Sequence, residues 1–366
     1  MLDNQVALVI VSVSGLLFLM QLFYMFGFLT FREQKHNKQV LPPVSLVVVG
    51  KNEADNWMRL LPKLLEQDHP NFEIVAVSDR SVDDSVDVIE AFMRKDTRVR
   101  LVNVEPNEAF IKGKKYALTL GIKAAKYEHL VFSDADCLPN ATNWLSSMAA
   151  GFDDQHIVLG YGDYFKQKGF LNTLIRWETL HTAMMFFSAA SKGKAYMGIG
   201  RNLAYTKSLF FECKGFYDHM HLPMGDDDLF VNKAASLTSV NWVTGTKTNS
   251  YPEERWADWW RQKRRHMFSS GYYSLSTKLY LGVHGVSKAF FYICSIISFF
   301  GAYAPFAAVL WMLYLVLMTW SAYHLGKHWN NGNLAIYTAV MDPFLVVLQG
   351  LLMIVNFFKP PTSRWK

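Results

Sequence analysis

The residues best suited to chemistry are Asp134 and Asp136, in the run Leu130-Val131-Phe132-Ser133-Asp134-Ala135-Asp136. Two carboxylates one residue apart, just past an apolar run that reads as a buried strand, can both reach a single divalent cation. Hard oxygen ligands suit Mg2+ or Mn2+, which take few protein carboxylates and complete their shell with substrate phosphates. A pair of acidic turn residues capping the next helix would look the same in isolation. A second acidic strand end tips the balance: Asp79 in Val77-Ser78-Asp79-Arg80-Ser81-Val82-Asp83. A carboxylate there can accept hydrogen bonds from a base imide or a ribose hydroxyl. Capping the following helix is its competing role, which Ser81 or Asp83 fits equally well. Lys114, following Gly113 at a predicted helix start, is suited to phosphate charge near a helix N-terminus.

These residues need a frame that brings strand ends together. Strands are predicted at Val44–Val49, Ile74–Val77, Arg100–Val104 and His129–Phe132. Between them lie helical patterns. Trp57, Leu60, Leu61, Leu64 and Leu65 recur at spacings of three and four; Val86, Ile89 and Phe92 do the same, and Lys114–Ala125 forms a third segment. Strand alternating with helix predicts an α/β fold with a mostly parallel sheet and right-handed crossovers. Such sheets bind ligands beyond the carboxyl ends of their strands, where Asp79, Asp134 and Asp136 fall.

The ends of the chain are of another kind. Across 366 residues 51% are apolar, yet the mean hydropathy is only +0.06, so apolar ends flank an ordinary soluble middle. Residues 1–31 read as an uncleaved transmembrane anchor, because Val6 to Phe31 carries no formal charge and exceeds the ~20 residues a span needs. The basic residues Arg32, Lys35 and Lys38 follow it, which the positive-inside rule assigns to the cytosol together with everything after. Residues 285–324 are expected to form a transmembrane hairpin turning at Gly301 and Pro305. Residues 334–358, interrupted by Asp342-Pro343, read as an interfacial or re-entrant helix or a span. An ionisable residue at mid-bilayer is expensive, and a span would carry Lys359, Arg364 and Lys366 outside. The soluble domain occupies 41–275. The net charge of +6 lies largely beside the apolar segments and points to anionic lipid rather than nucleic acid. Cys137, Cys213 and Cys294 form no CxxC pair, which argues against a disulfide framework or a zinc site.

In order along the chain, Val44–Val49 with Asn52-Glu53, Asp79 in its Asp-Arg-Ser-Val-Asp turn, Gly113-Lys114 and Asp134-Ala135-Asp136 resemble the family 2 inverting glycosyltransferases of GT-A fold. The resemblance spans roughly residues 44 to 270. It implies that Asp79 binds the nucleobase, Lys114 neighbours the donor phosphates, Asp136 ligates the metal, and Asp134 contacts ribose or sugar. Ser78 stands where the family commonly has a first Asp, which weakens the inference of uridine. Gly225-Asp226-Asp227-Asp228 resembles the acidic acceptor-site motif, in which one carboxylate takes the acceptor hydroxyl's proton. Asp227 is preferred as that base and Asp226 comes next; a charged first turn of a helix is the competing role. Gln262-Lys263-Arg264-Arg265-His266 resembles QxxRW, with His266 replacing Trp. This implies donor contacts from Gln262, Arg265 and His266, with Trp259 and Trp260 as substitute stacking residues on the acceptor side. A basic helix touching only lipid headgroups would look alike. Gly198-Ile199-Gly200-Arg201-Asn202 resembles the acceptor-side loop, with Asn202 shaping the site. The apolar stretch Phe170 to Phe187 reads either as membrane surface or as a core helix.

The expected activity is metal-dependent transfer, with inversion, of a sugar from a nucleotide-diphosphate donor, a UDP-sugar by resemblance, to a lipid or lipid-linked acceptor. It would take place at the cytosolic face of a bacterial-type inner membrane. A processive polysaccharide synthase acting on a growing glycan is the runner-up, since such synthases usually build a channel from more spans than this sequence offers. A membrane nucleotidyl- or phosphotransferase would share the sheet and metal site but not need the acceptor acids or the QxxR segment. A non-catalytic scaffold or exporter subunit would be expected to have lost one of the acidic elements.

Overall fold

The computed structural model describes residues 3–34, 40–105, 113–153, 156–222 and 224–361. Lys35, Lys38, Arg364 and Lys366, which the sequence offers as basic flanks, lie outside them. The elements run in the order α1 (Asn4–Leu29), β1 (Val44–Gly50), α2 (Ala54–Leu65), β2 (Phe72–Asp79), α3 (Ser85–Met93), β3 (Val99–Val104), α4 (Lys114–Ala124), β4 (His129–Asp134) and β5 (Cys137–Pro139). Then follow α5 (Trp144–Ala150), β6 (Ile157–Tyr164), α6 (Phe170–Ser191), β7 (Leu203–Thr206), α7 (Lys207–Glu212), α8 (Asp228–Ala234) and β8 (Val240–Ser250). Four helices close the chain: α9 (Trp256–Ser269), α10 (Leu275–Ser298), α11 (Ala304–Gly326) and α12 (Thr338–Phe358).

The chain divides into two compact units. The sheet unit comprises Glu33–Lys166, Gly193–Glu254 and Pro361–Lys366. Its eight strands are ordered β3-β2-β1-β4-β7-β6-β8-β5. The first four pair in parallel, as do β6 and β8, whereas β7 runs antiparallel to β4 and β6, and β5 antiparallel to β8. The predicted parallel half is therefore present, and β7 joins it to a mixed second half. β1 reads Val-Ser-Leu-Val-Val-Val-Gly because helices cover both of its faces. On one face Val44, Leu46 and Val48 pack with Trp57, Leu60, Leu61 and Leu64 of α2 and Trp144 of α5. On the other, α4 lies directly on the sheet, and Gly121 permits it: a Cβ there would come within 2.7 Å of Val77 and 2.9 Å of Val47. This close approach fixes where the start of α4, and with it Lys114, stands against the carboxyl ends of β1 and β4.

The helical unit comprises Met1–Arg32, Gln167–Lys192 and Arg255–Pro360. Residues 167–192 and 255–275, which the sequence suggests belong to the soluble domain, fall here. Among the described residues, four helices are long and apolar enough to cross a membrane: Asn4–Leu29, Leu275–Ser298, Ala304–Trp329 and Gly332–Phe358. Polar contacts join them where apolar packing alone would not set a register. Ser14 and Ser295 hydroxyls meet at 3.0 Å, Gln21 donates to Ser287 Oγ at 2.7 Å, and Tyr24 donates to the Tyr280 carbonyl at 2.8 Å. Asp342, the residue that interrupts the last apolar stretch, is fully buried. It receives Lys288 Nζ at 2.9 Å and the hydroxyls of Tyr292 and Tyr314 at 2.8 and 2.6 Å. The stretch Phe170 to Phe187 is a core helix here: α6 buries Leu174, Trp177, Leu180, Met184 and Phe186.

Candidate active site

The site is built from the carboxyl ends of β2 and β4, the N-terminus of α4, and the turns before β7 and α8. β4 delivers Asp134, and Asp136 follows on the exposed turn into β5. Asp134, Asp136 and Cys137 form a group whose possible ligand atoms lie within 4.8 Å of one another. Cys137 is fully buried, its Sγ 2.9 Å from Ser250 Oγ and 3.2 Å from Asp136 Oδ1. Burial, with Asp136 and Asp134 beside it, pushes the Cys137 thiol well up, so it stays protonated. Beside this buried thiol stand two hard carboxylates, Asp134 at the strand end and Asp136 on an open turn. That donor set fits Mg2+ or Mn2+ completed by phosphate oxygens, and not a soft metal.

Lys114 ties the metal side to the opposite, acidic turn. Its ammonium pairs with Asp134 and stands 3.3 Å from Asp226 Oδ2. Burial works against its charge, but Asp134 and Asp226 more than offset this and hold its pKa well above the ordinary value. The carboxylates respond differently. Burial raises Asp134, with Lys114 opposing and Asp136 adding to the shift. Burial also pushes on Asp226, yet Lys114 overrides it and holds Asp226 below the usual range. Asp227 responds the other way. Burial and the flanking Asp226 and Asp228 raise it to about 7, although its oxygens accept the Gly200 and Asp228 N–H groups, both at 2.8 Å. Asp227 is thus also the N-cap of α8, the role the sequence offered as the alternative. Gly225 makes this turn possible, with φ +93° just before the acidic run.

Asp79 ends β2 fully buried, and its carboxylate is clamped by Arg80, Nε to Oδ1 at 2.7 Å and a terminal nitrogen to Oδ2 at 2.8 Å. Arg80 adopts φ 53° to do so. The helix-capping role falls to Asp83 instead, which accepts Ala54 N–H at 3.0 Å and Ser85 N–H at 3.1 Å and so joins α2 to α3. Asn202 lies inside the fold. It is fully buried, accepting Trp144 Nε1–H at 3.0 Å and donating to the Tyr161 carbonyl at 2.9 Å. It holds the loop from beneath, with its amide turned to internal partners. Trp259 is likewise fully buried and has no exposed face for a sugar. Gln262, Arg265, His266 and Trp260 lie on α9, in the helical unit.

Two residues escaped the sequence reading. Arg80 is adjacent to Asp79, and only its backbone turn shows that it folds back. Arg201, beside Asn202, lays its guanidinium 4.3 Å over the Tyr164 ring and donates to the Gly162 carbonyl at 2.8 Å. Its charge interacts with Asp136. Gly160 and Gly162 leave room for Asn202 and Arg201, since a Cβ at either would overlap those side chains. The Gly-x-Gly spacing was the available signal.

Residues 45–212 match the family model "Glycosyl transferase family 2". The chain is 30% identical over 128 residues to glycosyltransferase GlyG of Streptococcus pneumoniae, covering 34% of this chain and 41% of that protein. It is 27% identical over 130 residues to the Escherichia coli UDP-Glc:alpha-D-GlcNAc-diphosphoundecaprenol beta-1,3-glucosyltransferase WfaP, covering 36% and 49%. The chain thus spans less than half the length of these two relatives. In fold it is similar to the mannosyltransferase PcManGT from Pyrobaculum calidifontis, solved in complex with GDP-Man and Mn2+. The TM-score is 0.57 at 18% identity, over 93% of this chain and 99% of that one.

Proposed function

Because the chain carries a glycosyl transferase family 2 domain of GT-A fold, we propose that it moves a sugar, with inversion, from a nucleotide-diphosphate donor to a lipid or lipid-linked acceptor at a membrane. The observation that carries this reading is the chain of charge Asp136–Asp134–Lys114–Asp226–Asp227, which sets a metal-type carboxylate pair beside a carboxylate raised to about 7. A UDP-sugar donor follows from the resemblance at Asp79, and WfaP, by its name, takes UDP-Glc and a diphosphoundecaprenol-linked acceptor. The four helices long and apolar enough to span a bilayer support a membrane location, and the charge following α1 supports a cytosolic catalytic face.

Asp136 would hold a Mg2+ or Mn2+ ion, with Asp134 beside it towards the donor's ribose or sugar, and the ion would supply Lewis-acid stabilisation for the charge on the departing diphosphate. Lys114 adds a fixed ammonium on that side and keeps Asp226 ionised. Asp79, freed from or shared with Arg80, would receive the base. Asp227 would take the acceptor hydroxyl's proton at its carboxylate. A carboxylate titrating near 7 is a stronger base than an ordinary one and is still ionised in a substantial fraction at neutral pH.

The test uses the full chain in lipid with a panel of nucleotide sugars, scoring nucleotide diphosphate release with and without Mn2+. Release from one donor, dependent on a lipid acceptor and on metal, is the expected result. No release from any sugar nucleotide sinks the reading. Products lengthening with time would replace single transfer by processive synthesis.

A further inference from the structure

Beside the acidic turn, and wholly within the sheet unit, lies a pocket of about 10 Å3 lined in part by Lys114, Ser133, Gly200, Tyr205, Asp226 and Asp227. Its size is that of a single water molecule. β7 places Tyr205 there through its pairing with Leu130 of β4 and Ile157 of β6. The ring stacks on Phe132 with centroids 4.2 Å apart and lies 4.4 Å from Phe230 and 6.1 Å from Phe210, so the hydroxyl is held in one direction. Tyr205 is 1% exposed, and among the described residues its Oη has no hydrogen-bond partner. A phenylalanine would complete this aromatic cluster as well, whereas a hydroxyl buried without a partner costs stability. Burial, with Asp226 beside it, pushes the Tyr205 hydroxyl well up, so it stays protonated and able to donate. The other walls are polar too. Each Asp227 oxygen accepts one backbone N–H, from Gly200 or Asp228, and a carboxylate oxygen can accept a second. The Lys114 ammonium carries three N–H groups, and Asp134 and Asp226 take two of them.

We propose that this pocket is a binding site for one ordered water, and that Tyr205 is a positioning residue that acts through the water on Asp227. The water accepts the Tyr205 O–H and the third N–H of Lys114, and donates to the carboxylates of Asp227 and Asp226. Such a full set of partners is what keeps a buried water in place. The groups facing Asp227 are Asp226 and Asp228 on its own turn, Lys114 and Lys115 from α4, Tyr205 from β7, and the Gly200 N–H. A hydrogen bond given to an ionised carboxylate favours that form, so the water holds Asp227 ready to take a proton and fixes the oxygen that takes it. The action on Asp227 rests on its reading as the base made above; the water site itself does not.

The experiment compares Y205F, L118M and D227N with wild type, as the full chain in lipid, by Tm and by kcat/KM against pH, together with a wild-type density map fine enough to order waters. The map should show one water within hydrogen-bond distance of Tyr205 Oη, and Y205F, which keeps the ring stacking, should have a lower Tm. Its acid limb of kcat/KM should move up by about half to one pH unit, the worth of one hydrogen bond, which lowers kcat/KM on that limb by about 3–10-fold. Donor KM should stay at the wild-type value. L118M sets a longer side chain in the pocket wall and should move the limb the same way by displacing the water. A Y205F Tm equal to or above wild type, or a map with no water in the pocket, overturns the site. A lowered Tm with an unmoved acid limb is a role confined to folding and overturns the positioning of Asp227. Wild-type turnover in D227N overturns the base assignment instead, and the map and Tm still decide the water. Should Y205F fail to fold, the limb of L118M decides the positioning role.

Discussion

Lys114 stands 3.3 Å from Asp226 while its ammonium is already paired with Asp134, so a single cation joins the end of β4 to the turn that opens α8. The Lys114→Met variant removes the counter-charge from both carboxylates. It should lower Tm and cut turnover by about 100-fold or more, the scale of losing one preorganised electrostatic group. Lys114→Arg should retain more of both. Donor titrations monitored alongside thermal melts will separate the two effects.

The raised Asp227 predicts two pH dependences of opposite sense. As a base it must be ionised, so kcat/KM should fall by about tenfold per unit as pH drops below about 7. The groups facing it are Asp226 and Asp228 on its own turn, Lys114 and Lys115 from α4, Tyr205 from β7, and the Gly200 N–H. Stability should run the other way. A carboxyl whose folded pKa lies above its unfolded value, about 3.9, binds more protons when folded, so its contribution is present at acid pH and is lost as pH rises through about 7. Asp227→Asn should flatten that decline, gain Tm above pH 7, and abolish turnover. Matched pH series of melts and rates check both.

Chelation should stop nucleotide release and added Mn2+ or Mg2+ restore it. Asp136→Ala should lose this rescue, whereas Cys137→Ser should keep it, because hard divalent ions take carboxylate oxygens in preference to sulfur. Metal titrations of the three proteins provide the measurement.

Lys288→Met strands Asp342 in a buried setting and should cost about 3–5 kcal/mol. The K288L/D342L double variant removes both charges and should recover most of that loss, since an apolar pair of similar volume is often no worse than a buried ion pair. Melts in lipid or detergent check the order of the three stabilities.

Much of the sheet unit was legible because its signals are local. The β1 run of buried apolar residues, the three-and-four spacing of Trp57 to Leu65, and acids at strand ends each state their own role over a few residues. The antiparallel β7, which joins the two halves of the sheet, was not legible. Leu203–Thr206 is four residues long, and its place is set by pairing with both His129–Phe132 and Ile157–Leu159. The partners of Asn202 were not legible for a related reason. Its type suggested a polar contact, and only packing against Trp144 and Tyr161 shows that the contact is internal.

By itself the sequence determined the alternation of strand and helix, the apolar helices, and the order of the acidic and basic residues, because periodicity and residue chemistry are properties of short stretches. Tertiary structure decided how those groups act on one another. Asp226 and Asp227 are adjacent and chemically identical, yet one is held ionised by Lys114 and the other is raised to about 7. Asp342 is disruptive in the sequence and satisfied in the fold, by residues from α10 and α11. In both cases the outcome depends on burial and on the distance to charges brought from elsewhere in the chain, and these exist only once the chain has folded.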